Sequence, residues 1–216
     1  MKKIILLGII SILLATSCKK DEEQIANPPN EVDNPNYLPM DIDNYWVYVN
    51  YRIDSLGNET NTNRIDSIII TKDTLIDGKN YFKFDNYINK SNHFARYMRD
   101  SSGYIVDSKG NIYLSNSNFT DILRTRIEKV NDDTLFTSDY KMEHITESIT
   151  VPAGTFTDIV NFQGKVITYN LHSGITNPRY QNNYYSKNTG LIREDYFYLN
   201  SNFFIEKRLK KYHIKH

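Results

Sequence analysis

The sequence predicts an all-β domain: an antiparallel meander folded into a sandwich or an open or half barrel, with at most one short helix. Three observations carry this reading. β-Branched and aromatic residues alternate with polar ones in short runs, turn-forming residues separate those runs at roughly 8–12-residue spacing, and no 3.6-residue apolar period persists. Connections that short favour antiparallel neighbours, because a parallel pair needs a crossover of about a dozen residues or more. The domain is expected over residues 40–212, after a signal peptide (1–17) and a disordered tether (18–39), and before a short tail (213–216).

The chain opens with export chemistry. Lys2 and Lys3 precede residues 4–14, which are apolar apart from Gly8 and Ser11, and Ala15-Thr16-Ser17 leads into Cys18. A basic start, an apolar stretch and small residues at a cut describe a secretory signal peptide. The apolar stretch is shorter than the ~20 residues a membrane-spanning helix needs. Residues 24–39 then carry Pro28, Pro29, Pro35 and Pro39 among asparagines. Such a segment has too little apolar surface to offset the entropy of ordering, and its prolines keep it semi-extended.

The first strand is expected from Asn44. Tyr45, Val47, Val49 and Tyr51 alternate with Trp46, Tyr48, Asn50 and Arg52, so both faces begin aromatic and both should be covered. Residues 65–71 are rich in β-branched side chains, Phe82 and Phe84 share a face over 81–84, and over 93–99 Phe94 and Met98 alternate with Ala95 and Tyr97. Leu56-Gly57-Asn58, Asp77-Gly78-Lys79 and Asn89-Lys90-Ser91-Asn92 supply the turns between them. A hairpin spans 103–114, with Gly110 giving the positive φ its reversal requires. Residues 116–133 have no clear pattern, and 119–123 reads as a loop in preference to a short helix.

Strand pattern resumes over 134–136 and 141–151. In Val151-Pro152-Ala153-Gly154-Thr155-Phe156 the proline stops ladder pairing and the glycine permits a tight reversal. A strand over 155–162 then places Phe156, Val160 and Phe162 on one face, and Gln163-Gly164 turns it into 165–171. Residues 183–187, 190–199 and 202–209 end the domain as a meander, with Asn188-Thr189-Gly190 as the turn between the first two.

Charge and cysteine usage exclude several functions. Lys+Arg and Asp+Glu both number 26, and loss of Lys2 and Lys3 with a signal peptide leaves two more acids than bases. No basic stripe for nucleic acid emerges from that balance, and the local cluster at 207–211 reads as a solvated strand end. The single cysteine cannot form an internal disulfide framework. His93, His144, His172, His213 and His216 are scattered without metal-ligand spacing, and His213 and His216 read as a frayed end. Asp41-Ile42-Asp43-Asn44 lacks the glycine and the bidentate glutamate of a calcium loop. There is no Gly-x-Ser-x-Gly and no phosphate-cradling glycine loop, so neither a catalytic residue, a metal nor a cofactor is expected.

Aromatics are the one excess, with Tyr 17 and Phe 10. Tyrosine offers an apolar face with a hydrogen-bonding tip, so Tyr45, Trp46, Tyr48, Tyr184 and Tyr185 are the candidate ligand platform, weighed against simple strand filling.

Ala15-Thr16-Ser17-Cys18 resembles the lipobox of bacterial lipoproteins, which implies cleavage before Cys18 and acylation of its thiol and amino group. Multiple acyl chains hold a protein on a membrane where one is marginal. Lys19-Lys20-Asp21-Glu22-Glu23 is similar to the signal that sends Bacteroidota lipoproteins to the outer face of the outer membrane. Tyr37-Leu38-Pro39, Asn44-Tyr45-Trp46-Val47-Tyr48, the Val151 to Phe156 hexapeptide and the aromatic run from Tyr185 through Gly190 to Ile192 resemble structural signatures of uncharacterised Bacteroidota lipoproteins. Asp43 departs from the glycine usual there. Asp-Ser/Thr-apolar tripeptides resembling Bacteroidota O-glycosylation acceptors mark Ser55, Ser67, Thr74 and Thr134.

The expectation is therefore a membrane-anchored envelope lipoprotein, non-catalytic, serving as a surface binding or structural module for a glycan, peptide or lipid. An exposed Tyr/Trp platform would mark it. An apolar cavity would instead mark a lipid- or lipoprotein-handling half barrel in the periplasm. Buried paired carboxylates in a cleft would mark a hydrolase.

Overall fold

The computed structural model describes residues 35–169 and 175–215. The signal peptide, Cys18, most of the tether, His172 and His216 lie outside the described residues. In chain order the strands are β1 (Tyr45–Ile53), β2 (Glu59–Ile76), β3 (Lys79–Ile88), β4 (Asn92–Ser101) and β5 (Tyr104–Asp107). Then come β6 (Ile112–Ser115), β7 (Arg124–Val130), β8 (Asp133–Ile145), β9 (Ile149–Val151) and β10 (Gly154–Phe156). The last five are β11 (Ile159–Thr168), β12 (Arg179–Gln181), β13 (Asn183–Ser186), β14 (Gly190–Phe197) and β15 (Phe204–His213). Among the described residues there is no helix, and 119–123 is loop as the sequence indicates.

Thirteen strands form one antiparallel sheet in the order β6-β5-β4-β3-β2-β1-β15-β14-β13-β11-β8-β7, with β12 also paired to β11. The first and last strands, β1 and β15, pair at its middle, from Tyr45 opposite His213 to Ile53 opposite Phe204. Two arms run out from that seam and curl toward each other. Their edges meet where the Arg124 guanidinium of β7 lies 4.9 Å from the Tyr113 ring of β6. The sheet is thus a nearly closed barrel, the barrel branch of the expectation, and edges that meet this way are shielded from pairing with another chain.

One end of the barrel is packed solid. Trp46 and Tyr48 point inward from β1 with Ile70, Phe84, Phe162 and Leu209, each at most 2% exposed. Burial of side chains this size contributes about 1.5–3 kcal/mol apiece. The β9–β10 hairpin closes over that end. Ile149 and Val151 join the core, and the Ala153 N–H donates to the Leu209 carbonyl at 3.0 Å. Tyr37 and Leu38 are buried in the same core, so ordered packing starts within the stretch assigned to the tether.

Several local expectations are corrected. Gly164 is not a turn: it lies inside β11 opposite Tyr140, and its missing Cβ leaves the space that the Tyr140 ring fills. Phe156 belongs to β10 and Val160 and Phe162 to β11, because Asp158 takes a positive φ of 50° and breaks the run. β7 fills the patternless stretch; its charged alternation gave no apolar stripe because it is an edge strand. β2 is longer than 65–71, extending through the exposed polar residues from Glu59 that pair with the end of β1. His213 is not frayed, since it pairs with Tyr45 and stacks on its ring at 5.8 Å.

Candidate functional site

The two arms enclose a chamber of about 680 Å³ above the packed end. Its lining draws on β2, β3, β4 and β6 from one arm and on β7, β8, β11, β13 and β14 from the other. The lining is polar and rich in cations: Arg64, Arg96, Arg124, Arg126 and Lys207 face two acids, Asp66 and Glu194. A register shift against β13 sets part of this. Tyr184 opposes Arg193 while Tyr185 opposes Leu191, so the extra residue in β14 brings both Leu191 and Glu194 to the chamber wall.

Three of the five cations have carboxylate partners. Arg64 grips Asp66 with Nε and Nη2, each at 2.9 Å, and its Nη1 donates to the Tyr196 hydroxyl at 3.1 Å. Burial pushes the Asp66 carboxyl up, but Arg64, the Asn89 amide and the Asn50 side chain outweigh it and hold the group below its ordinary range. Lys207 pairs with Glu194 and lies 4.8 Å from the Tyr48 ring centre. Arg126 pairs with Glu128 at 2.7 Å on the exposed rim.

Arg96 and Arg124 differ. Among the described residues neither has a carboxylate within ion-pair distance; both rest on aromatic rings. Their guanidinium carbons are 4.6 and 4.9 Å from the centre of the same ring, Tyr113. Arg124 also lies 4.1 Å from the Tyr140 ring and 5.1 Å from Phe162. Tyr140 is held in turn by its stack on Phe162 and by a 2.6 Å bond to the Gln181 side chain. Tyr185 faces the same group of side chains; burial, then Glu194, push its phenol well above the ordinary range, so it stays a neutral donor.

The predicted platform residues do not form an exposed surface. Trp46 and Tyr48, each 1% exposed, join Tyr185 in a recess of about 60 Å³ at the chamber floor. Trp46 Nε1 donates to the Thr189 carbonyl at 2.6 Å, and the Tyr48 hydroxyl donates to the Leu191 carbonyl at 3.0 Å. Tyr45 and Tyr184 lie apart from them, Tyr45 against His213 and Tyr184 beneath Arg193 at 4.2 Å. Of the acceptor positions, Ser55 is exposed in the β1–β2 turn, while Ser67, Thr74 and Thr134 are half-buried within strands. Among the described residues no cluster of three or more His, Cys, Asp or Glu could hold a metal ion.

A second cleft, of about 370 Å³, is lined by Asp195, Arg179, Phe197 and Phe203 among others. Burial raises the Asp195 carboxyl to about 6, partly countered by Arg193. Its register partner Glu206 does not line that cleft and bonds Arg208 at 2.5 Å. A hydrolytic pair needs two carboxylates facing one space, and this cleft has one.

The chamber residues that matter most, Arg96 and Arg124, were missed in the sequence. One signal was available: Arg96 sits between Phe94 and Met98 on the stripe of β4 whose Met98 is core.

Fold and site together define an antiparallel β-barrel with a polar, cation-rich interior. Two solved structures share the fold, each at a TM-score of 0.51 over 83% of this chain and 99% of the other. One, 20% identical, is a protein of Parabacteroides distasonis ATCC 8503 provisionally named a lipoprotein. The other, 14% identical, is a protein of Bacteroides fragilis NCTC 9343 provisionally named an exported protein with a YmcC-like fold. No protein-family model and no curated protein sequence matches this chain.

Proposed function

We propose that this protein is a cell-envelope lipoprotein, anchored through acylated Cys18 on the outer membrane and displayed at the surface, whose barrel binds a small ligand without catalysis. The observation that carries the binding role is the chamber of about 680 Å³, within the size range of small-molecule sites and walled by convergent polar groups. The lipobox-like Ala15-Thr16-Ser17-Cys18 supports the anchor, as does the lipoprotein name of one fold neighbour, while the other's name supports export. Against a carrier that encloses lipid tails stands the aromatic recess, whose roughly 60 Å³ has no room for an acyl chain. Against a hydrolase, each chamber acid is taken up by a cation, Asp66 by Arg64 and Glu194 by Lys207, and the second cleft has a single carboxylate.

Palmitate labelling with membrane fractionation tests the placement. Wild type should label and sediment with the outer membrane, and protease added to intact cells should remove it. A Cys18→Ala chain that labels and sediments equally well would overturn the anchor.

A further inference from the structure

The geometry points to the kind of ligand: we propose that the chamber captures a molecule through one anionic group, a carboxylate, phosphate or sulfate, held between Arg96 and Arg124. This rests on the barrel being a binding chamber and adds what it binds.

Every other cation on the chamber wall has an acid of its own. Arg96, from β4, and Arg124, from β7, come from opposite arms and meet over Tyr113 at the line where the barrel edges approach. Both residues are half-buried. Guanidinium groups stacked on rings keep their N–H edges free, and those edges match a carboxylate or phosphate in paired hydrogen bonds. Tyr185 adds a neutral hydroxyl nearby, and the neighbouring acids are already engaged: Lys207 pairs with Glu194, and Asp107 accepts from the Tyr113 hydroxyl at 3.2 Å and from the Asn111 side chain at 2.9 Å. The rest of the ligand would lie along Leu191 and Tyr113, with Trp46 at the floor below.

The anion could belong to a soluble molecule or to a lipid headgroup, and the shared chemistry is the same. Trp46 is the only tryptophan in the sequence, so its fluorescence reports the chamber alone and not insertion of the anchor. The test titrates the full chain in detergent with phenyl phosphate, benzoate and phenol, and separately with vesicles of phosphatidylglycerol or phosphatidylcholine.

Phenyl phosphate and benzoate should shift Trp46 emission saturably, with phenol at least about tenfold weaker. Arg96→Gln and Arg124→Gln should each weaken the anions about tenfold or more and leave phenol unchanged. Lys72→Gln, at an exposed position of β2 outside the chamber lining, should bind like wild type. Arg124→Lys keeps the charge without the planar fork and should fall between wild type and Arg124→Gln, which covers a Gln variant that fails to fold. A response confined to phosphatidylglycerol vesicles and lost in both Gln variants would assign the same site to a lipid headgroup. Phenol binding as tightly as phenyl phosphate, or anion binding unchanged in both variants, would overturn the anion site and leave the chamber. Silence of Trp46 in every arm would overturn both.

Discussion

Gly164 stands directly opposite Tyr140 in the β11–β8 register, and the phenol ring lies in the space a side chain at Gly164 would fill, with Cζ only 2.6 Å from the position of a Cβ. Through that seat the glycine supports Arg124, whose guanidinium lies 4.1 Å from the Tyr140 ring. Gly164→Ala should push the ring out and cost about 1–3 kcal/mol, as overpacking does. A lowered melting temperature with weaker phenyl phosphate binding would bear this out. An alanine variant with wild-type stability and binding would show that the seat is not needed.

Trp46 is fixed from below in the same manner. A Cβ at Gly190 would lie 2.9 Å from the indole nitrogen, and that nitrogen donates to the carbonyl of the buried Thr189. Trp46→Phe leaves the carbonyl unpaired and should destabilise by roughly 1–3 kcal/mol. Chemical denaturation would measure it; a loss below a few tenths of a kcal/mol would contradict the bond's importance.

Asp195 makes stability depend on pH in the unusual direction for a carboxylate. Its group titrates near 6 in the folded chain against an ordinary 3.8, so the folded state holds the proton more tightly. The contribution is complete below pH ~4 and is lost as pH rises through 6. Asp195→Asn mimics the protonated form and should remove this fall, by at most ~3 kcal/mol at pH 7. Parallel melting curves from pH 4 to 7 for wild type and variant would refute it.

Asp85 works in the opposite sense. Burial would raise its carboxyl, but Lys83, Thr71 and His93 outweigh burial and hold it at about 2. The bonds are 3.0 Å from Lys83, 2.6 Å from Thr71 and 2.7 Å to His93, tying β2, β3 and β4 together. A depressed carboxylate stabilises above its ordinary value of 3.8, and that stability is lost as pH falls through 2. Asp85→Asn should be less stable at neutral pH and show an acid limb flatter by up to ~2 kcal/mol. An unchanged acid limb in the variant would count against the network.

Much of the barrel is legible in the chain because strands facing a core alternate visibly. β1 announces itself through Trp46 and Tyr48 against Tyr45 and Val47, and the β5–β6 hairpin through Gly110 at φ 85°. What escaped reading obeys other constraints. β7 is charged on alternate residues since an edge strand gains nothing from an apolar stripe, and Gly164 serves a ring on the neighbouring strand, a contact absent from local sequence. The chamber escaped for the same reason. Arg96 and Arg124 belong to different arms, and only closure of the sheet brings them to one tyrosine.

A crystal structure of the protein with phenyl phosphate bound would test the chamber most directly. The account predicts the phosphate inside the barrel, its oxygens about 2.7–2.9 Å from guanidinium nitrogens of both Arg96 and Arg124. Phosphate density in the Asp195 cleft or on the outer surface, with the barrel interior holding only solvent, would contradict it.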